Sequence, residues 1–238
     1  MKLHSTAPMR IDLAGGTLDI YPLYLFEEGG LTLNAAVTLN SEVWIETRAE
    51  PGIVIISEDL DTRITAPDAA SLDPSGPLDM LARVSRFHAP PDTGLEIRTR
   101  NNVPKGSGLG ASSSLLIALS HALAALRPER PDPERIIETG ACLEAQTIRI
   151  PTGKQDYYSA TYGGVSTIWF DVDGARREPL IESENAVRAL EERLVVSFAG
   201  EPRFSGLSNW SMTRAYIDGE QRTVRNIGRI KQTALDMR

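Results

Sequence analysis

Sulfur and imidazole are scarce in this chain. Its 238 residues include one cysteine, Cys142, and three histidines, His4, His88 and His121, set far apart. An intrachain disulfide and a thiolate metal cluster are therefore excluded, and the histidines are too dispersed to read as a metal site. Positive charge is also short: 25 Lys and Arg stand against 32 Asp and Glu, a net −7, and no basic run occurs. That balance argues against a nucleic-acid partner. No apolar run approaches the ~18 residues of a bilayer span, and the opening MKLHSTAPMRIDL lacks the apolar centre of a signal peptide. The expectation is a soluble, cytoplasmic protein with no membrane partner. At 41% hydrophobic and 24% charged, the composition is that of an ordinary globular chain, long enough for one large domain or two small ones.

Glycine and serine supply the first positive signal. Val103–Ser114 reads VPKGSGLGASSS, with Gly106, Gly108 and Gly110 at alternate positions and three serines opening an apolar helical pattern. Glycine accepts φ > 0 and lets a backbone approach a ligand without a Cβ in the way. A helix start adds unpaired N–H groups and the positive end of a dipole, so the segment can cradle an anion, usually phosphate. Neither common glycine loop fits: no Lys follows Gly110 as G-x-x-x-x-G-K-[ST] requires, and the spacing is G-x-G-x-G rather than G-x-G-x-x-G. On the glycines alone, a tight strand-to-helix turn explains the segment equally well.

Periodicity places the loop in a mixed chain. Short strands are predicted at Lys2–Ala7 and Arg10–Ala14 on either side of Pro8, then at Leu31–Val37, Glu42–Ala49 and Ile53–Ser57, with Asp61–Ala66 beside the last. A helix over Pro77–His88 stops at Pro90-Pro91, and a strand at Leu95–Thr99 feeds the glycine loop. The next helix, capped by Ser112 or a neighbour, runs to Leu126 on a stripe of Leu115, Leu116, Leu119, Leu123 and Leu126. A proline-rich turn at Arg127–Pro133 leads to helices at Glu134–Thr147 and Thr152–Thr161. A hairpin of Val165–Phe170 and Arg176–Ile181 follows, then a helix at Glu184–Glu191, a strand at Leu194–Phe198, and helices from Ser208 to Arg238 broken near Gly219. This is an α+β pattern with antiparallel pairing, not the regular alternation of a doubly wound sheet.

Two further segments accompany the loop: APMRIDLAGGTLD (Ala7–Asp19) and TGKQDYYSATYGG (Thr152–Gly164). With VPKGSGLGASSS between them, the chain resembles the GHMP kinases, the superfamily of galactokinase, homoserine kinase, mevalonate kinase and phosphomevalonate kinase. Gly29-Gly30, Leu33-Asn34-Ala35 and Gly153-Lys154-Gln155-Asp156 are most similar to the D-glycero-D-manno-heptose phosphate kinases. The resemblance implies a ribosomal protein S5 domain 2-like N-terminal domain over residues 1–190 and a partial ferredoxin-like domain over 191–238. It implies ATP and Mg²⁺ as cofactors and a small-molecule sugar or sugar phosphate as acceptor, a heptose phosphate first and fucose or galactose as other candidates. Phosphate would be placed on the anomeric hydroxyl.

The resemblance also assigns roles. Pro104, Lys105, Gly106, Ser107, Gly108, Leu109, Gly110, Ala111, Ser112 and Ser113 would bind the ATP phosphates. Ser112 and Glu144, the latter twelve residues before Asp156, would hold Mg²⁺, which favours oxygen ligands. Asp156 would accept or orient the proton of the attacking hydroxyl, and Arg10 would neutralise charge at the transferred group. Asp19, Gly16, Lys154 and Gln155 would form the sugar site. Singly, each has a plainer reading: Glu144 as a solvated helix residue, Asp156 as a cap, Arg10 as a surface ion pair, Asp19 in an Asx turn, and Lys154 as a surface lysine. Tyr157, Tyr158 and Tyr162 read as packing, His88 and His121 as structural. The adenine pocket is expected after Ile53–Ser57 and along Pro77–His88.

The third GHMP motif, G-A-G-x-G-G, does not occur in these residues. A truncated or split gene product, a fragment, or a homodimer covering the incomplete C-terminal domain would account for that. The apolar positions Val224, Ile227, Ile230, Ala234 and Met237 accordingly need a partner. A non-catalytic sugar- and ATP-binding sensor is the alternative to a kinase.

Overall fold

Two long antiparallel strands carry the architecture. In this computed structural model, which describes residues 1–129, 132–198, 200 and 205–238, β1 (Lys2–Ala14) runs along β2 (Gly30–Arg48) from Lys2↔Glu46 to Ala14↔Leu33. The sequence predicts two strands in each of these stretches. The structure joins each pair, because register shifts at Pro8/Met9 and Asp12/Ala14 absorb the irregularity without ending the strand. The other edge of β2 is shared. Its first part, Gly30–Ala35, pairs with β6 (Val165–Asp171), and Ser41–Arg48 pairs with β5 (Gly94–Asn101). β3 (Ile53–Ser57) lies parallel to β5, with β4 (Thr62–Ala66) antiparallel outside it, and β7 (Gly174–Ile181) closes the far edge against β6. The fold is a seven-stranded, mostly antiparallel mixed sheet with helices.

One face of the sheet carries the main core. α2 (Asp79–His88), α3 (Ala111–Ala124), α4 (Pro133–Ile148) and α5 (Gln155–Tyr162) bury Leu81, Val84, Leu116, Leu119, Leu123, Ile137 and Tyr157 against Val43, Ile45, Ile55 and Ile97. α3 is buried almost all round, as a central helix must be. Its start differs from expectation. Gly110 occupies the N-cap at φ 73 with no side-chain cap, and the serine hydroxyls bind elsewhere. α4 is capped by Asp132, which accepts from the Glu134 N–H. The proline-rich turn at Arg127–Pro133 lies partly outside the described residues.

The opposite face is covered at one end. α7 (Ser205–Ile217) leads to α8 (Gln221–Met237), where Ile227 and Ala234 are buried and Ala234 packs on Leu31 and Leu33. The stripe expected on this helix thus has a partner within the chain, although Met237 stays 52% exposed. A short α1 (Leu23–Phe26), which periodicity missed, packs near α7, where Phe26 stacks on Tyr216. α6 (Glu184–Glu191) forms as predicted. The strand predicted at Leu194–Phe198 does not: these residues are irregular, and Val195 is 93% exposed. Among the described residues no strand pairs with them, and a strand without a neighbour leaves its backbone groups unmatched. No helix among the described residues is long and apolar enough to cross a membrane.

Candidate active site

β1, the glycine loop and the start of α5 meet at Arg10. The Arg10 backbone N–H donates to the Leu109 carbonyl at 3.0 Å, fastening the loop to the strand. The guanidinium donates through Nη1 to the Gly108 carbonyl at 2.9 Å, and its Nε lies 2.5 Å from Oδ1 of Asp156. Burial opposes the charge of Arg10, but Asp156, Asp12 and Asp19 more than restore it, so its pKa is raised and it stays protonated. Asp156 lies in the first turn of α5 (Gln155–Tyr162), where a helix dipole favours a carboxylate. A Cβ on Gly110 would stand 2.9 Å from its Cγ, so the last loop glycine touches the carboxyl group.

The loop itself is held open. Gly106, Gly108 and Gly110 have φ of 77, 77 and 73, a region that disfavours other L-residues. A Cβ built on Gly108 would meet no atom within 4 Å. The Ser107 hydroxyl is buried and has no hydrogen-bond partner among the described residues. An open glycine turn, an orphaned hydroxyl and the start of α3 fit a polyphosphate.

Glu144 lies behind the loop. It is buried on α4 and accepts from the hydroxyls of Ser112 (2.7 Å), Ser113 (2.8 Å) and Tyr157. Burial raises its pKa against those three hydrogen bonds. Among the described residues no three His, Cys, Asp or Glu side chains gather as a metal cage. The neighbouring hydroxyl of Ser112 and carboxylate of Glu144 are oxygen donors that fit an ion with few protein ligands, such as Mg²⁺ completed by phosphate and water.

An acidic cluster, Asp12 and Asp19, lies beside Asp156. Asp19, only 3% exposed, accepts the Gln155 backbone N–H at 3.1 Å and presses so closely on Gly153 that only glycine fits there. Burial lifts its pKa to about 6, with Gln155 opposing and the charge of Asp156 adding. Gly16 abuts the Asp12 carboxylate in the same way. Asp12 takes hydrogen bonds from Gln155 and the Gly16 backbone, while burial raises its pKa.

The structure thus brings together Arg10, Asp19, Gln155 and Asp156 with Gly108, Leu109 and Gly110 of the loop, sets Gly16 against Asp12, and joins Ser112 and Ser113 to Glu144. Lys154 is placed differently: its ammonium is 2.7 Å from Glu138 on α4. Asp12 was missed, although strand periodicity signals it, since residues two apart in β1 share a face with Arg10. Tyr157, read as packing alone, is fully buried and also bonds Glu144.

Residues 77–164 match the family model of the GHMP kinases N terminal domain, and this segment of the chain is such a domain. It contains the glycine loop, Glu144 and Asp156, whereas Arg10 and Asp19 precede it. Over 244 residues the chain is 30% identical to the bifunctional fucokinase/GDP-fucose pyrophosphorylase of Arabidopsis thaliana, matching 95% of itself and 23% of that protein. Over 246 residues it is 27% identical to the D-glycero-alpha-D-manno-heptose 7-phosphate kinase of Campylobacter jejuni, covering 99% of itself and 70% of the relative. The chain thus spans less than a quarter of the plant relative. In fold it is similar to a D-glycero-D-manno-heptose 1-phosphate kinase of Bacteroides thetaiotaomicron (TM-score 0.66, 21% identity, 98% of this chain and 79% of that one). It is also similar to the mevalonate kinase of Methanococcus jannaschii (TM-score 0.62, 18% identity, 77% and 57%).

Proposed function

We propose that this protein is an ATP-dependent sugar kinase, whose acceptor is a sugar or sugar phosphate and, first among these, a D-glycero-D-manno-heptose phosphate attacked through its anomeric hydroxyl. The observation that carries this reading is the single contact set in which Arg10 joins Asp156 to the Gly108 carbonyl. A phosphate-sized cradle and a carboxylate for an alcohol proton then lie within one guanidinium of each other. The names of the fucokinase and heptose kinase relatives support the acceptor class. The division into an S5 domain 2-like unit over 1–190 and the beginning of a ferredoxin-like unit over 191–238 belongs to the same reading.

ATP supplies the γ-phosphoryl group; Ser112 and Glu144 would hold Mg²⁺, which would supply charge neutralisation for its oxygens. Asp156 orients the acceptor hydroxyl and takes its proton as the new P–O bond forms and the bond to the departing ADP breaks. Arg10 sits against the Asp156 carboxylate and offers positive charge to the transferring group. Asp19 accepts from sugar hydroxyls, as an ionised carboxylate can from two donors at once. The loop amides hold the phosphates in line.

A coupled ADP-release assay across heptose 7-phosphate, heptose 1-phosphate, fucose and galactose, with Asp156→Asn as control, tests this. ADP release that requires a sugar and largely vanishes in the control supports it. Nucleotide and sugar binding without turnover in the unaltered protein makes it a sensor instead. A homodimer also goes with this reading, because Val195, Phe198 (48% exposed) and Trp210 (43% exposed) leave apolar surface uncovered. Light scattering that finds only monomer, with no binding of a surface-hydrophobicity dye, removes the dimer.

A further inference from the structure

Glu144 does not present its two oxygens alike. Oε1 accepts one hydrogen bond, from Ser112 at 2.7 Å, while Oε2 accepts two, from Ser113 at 2.8 Å and from Tyr157. A carboxylate offers about four lone-pair sites, shared equally by its oxygens. Oε2 is therefore filled, and Oε1 keeps a site free. Burial divides the group the same way. Ser112 is exposed, whereas Ser113 and Tyr157 lie in the core. The free lone pair thus belongs to the oxygen beside the exposed hydroxyl.

Packing fixes the phenol in this position. Tyr157 follows Asp156 directly on α5, and neighbours in a helix point in different directions. Asp156 accordingly turns to Arg10, while Tyr157 crosses to α4. Its ring lies over Gly140, which stands one helical turn before Glu144 on the same face of α4. A Cβ on Gly140 would come within 3.7 Å of the ring's Cδ1 and 2.7 Å of Cδ2 of Leu116 on α3. The absent side chain leaves the slot that the ring fills. Turning Oε2 away from this corner would leave two buried hydroxyls unpaired, so the carboxylate is pinned by that oxygen.

We propose that Tyr157 and Ser113 are positioning residues that limit Glu144 to one-oxygen binding of the cation, through Oε1 beside Ser112, and thereby set a preference for Mg²⁺ over Ca²⁺. This rests on the kinase reading, in which Ser112 and Glu144 hold the metal. Mg²⁺ is small, demands octahedral oxygen ligands, and is served by a single carboxylate oxygen with phosphate and water completing its shell. Ca²⁺ is larger, takes about 6–8 oxygens and readily uses both oxygens of one carboxylate. The two buried hydroxyls withhold the second oxygen.

The test follows Mn²⁺ by electron paramagnetic resonance in the complex with a non-hydrolysable ATP analogue, and displaces it with Mg²⁺ or Ca²⁺, so no turnover is needed. The Ca²⁺-to-Mg²⁺ affinity ratio is compared in the unaltered protein, Tyr157→Phe, Ser113→Ala and Tyr158→Phe. The last loses a hydroxyl that faces Glu134 instead. Phenylalanine at 157 keeps the ring over Gly140. In Tyr157→Phe, Mg²⁺ affinity is expected to fall ~10-fold while Ca²⁺ affinity holds, so the ratio rises ~10-fold. Ser113→Ala should raise the ratio in the same direction, and it decides the matter if Tyr157→Phe does not fold. Tyr158→Phe should leave the ratio alone. An unchanged ratio in Tyr157→Phe and Ser113→Ala, or an equal rise in Tyr158→Phe, overturns the assignment. Equal Mn²⁺ affinity in the unaltered protein and Glu144→Gln also overturns it, because the cation then lies elsewhere. Failure to release ADP with any sugar counts against the kinase reading alone, since the ratio is read without sugar.

Discussion

Nε of Arg10 lies 2.5 Å from Oδ1 of Asp156 while Nη1 of the same guanidinium holds the Gly108 carbonyl. One planar group therefore fixes the spacing between the carboxylate and the glycine loop. Lysine cannot reproduce this, because its ammonium is a point charge without a fork. Arg10→Lys is expected to lower sugar-dependent ADP release ~10–100-fold while keeping a positive charge, and Asp156→Asn to lower it ~10²–10⁴-fold. Equal turnover in Arg10→Lys and the unaltered protein, measured at saturating ATP, would show that spacing is set by something else.

Gly108 and Gly110 separate binding from chemistry. Both require left-handed backbone, at a cost of roughly 1–2 kcal/mol for another residue, but their surroundings differ. A side chain on Gly108 would project into open space, where phosphate is proposed to approach. Gly108→Val is expected to weaken a non-hydrolysable ATP analogue at least ~10-fold by calorimetry. A side chain on Gly110 would strike Asp156, so Gly110→Ala should lose kcat. Unchanged nucleotide affinity in Gly108→Val would remove the loop from ATP binding.

The residues that converge here were legible because chemistry and spacing both mark them: alternate glycines, a strand Arg followed nine residues later by Asp19, and Glu144 twelve before Asp156. β3 and α6 were read to the residue because each is a short, self-contained pattern. Long-range choices were not legible. Pro8 suggested a break in β1, yet pairing to β2 along its length carries the strand through a register shift. Ser112 looked like a cap, but Glu144, which sequence alone could not bring near, captures its hydroxyl, and Gly110 takes the capping position. Leu194–Phe198 has strand composition, and no described strand is there to receive it. Lys154 looked free for substrate until α4 brought Glu138 to it.

Glu144 combines a structural role with its proposed role in holding Mg²⁺. Its carboxylate takes three hydroxyl donors, from Ser112, Ser113 and Tyr157. Truncation orphans all three in a buried site, at roughly 1–3 kcal/mol for each unsatisfied group. Glu144→Ala is expected to lower thermal stability by several degrees or more. Glu144→Gln keeps an acceptor oxygen and similar volume, so it should melt close to the unaltered protein while needing more Mg²⁺ for half-maximal ADP release. An unchanged Mg²⁺ requirement in the glutamine variant would leave Glu144 a purely structural residue.

Burying Asp19 costs the fold stability, and pH reveals it. Burial lifts its pKa to about 6, above the ~3.9 of an unfolded aspartate. The folded state therefore favours the protonated form. Below about pH 4 the side chain is neutral in both states and imposes no penalty. As pH rises through 6 the buried group must ionise, and roughly 3 kcal/mol of stability is lost between those limits. Asp19→Asn removes the ionisation, so its melting temperature should exceed that of the unaltered protein at pH 8, with the gap closing toward pH 4. Catalysis should run the opposite way. In the proposed role an ionised Asp19 accepts from two sugar hydroxyls, so kcat/KM for the sugar should climb through about pH 6 in the unaltered protein, and this acidic limb should be missing from whatever activity Asp19→Asn retains. A melting-temperature gap that stays constant from pH 4 to 8 would mean that Asp19 does not titrate in this window and that the limb belongs to another group.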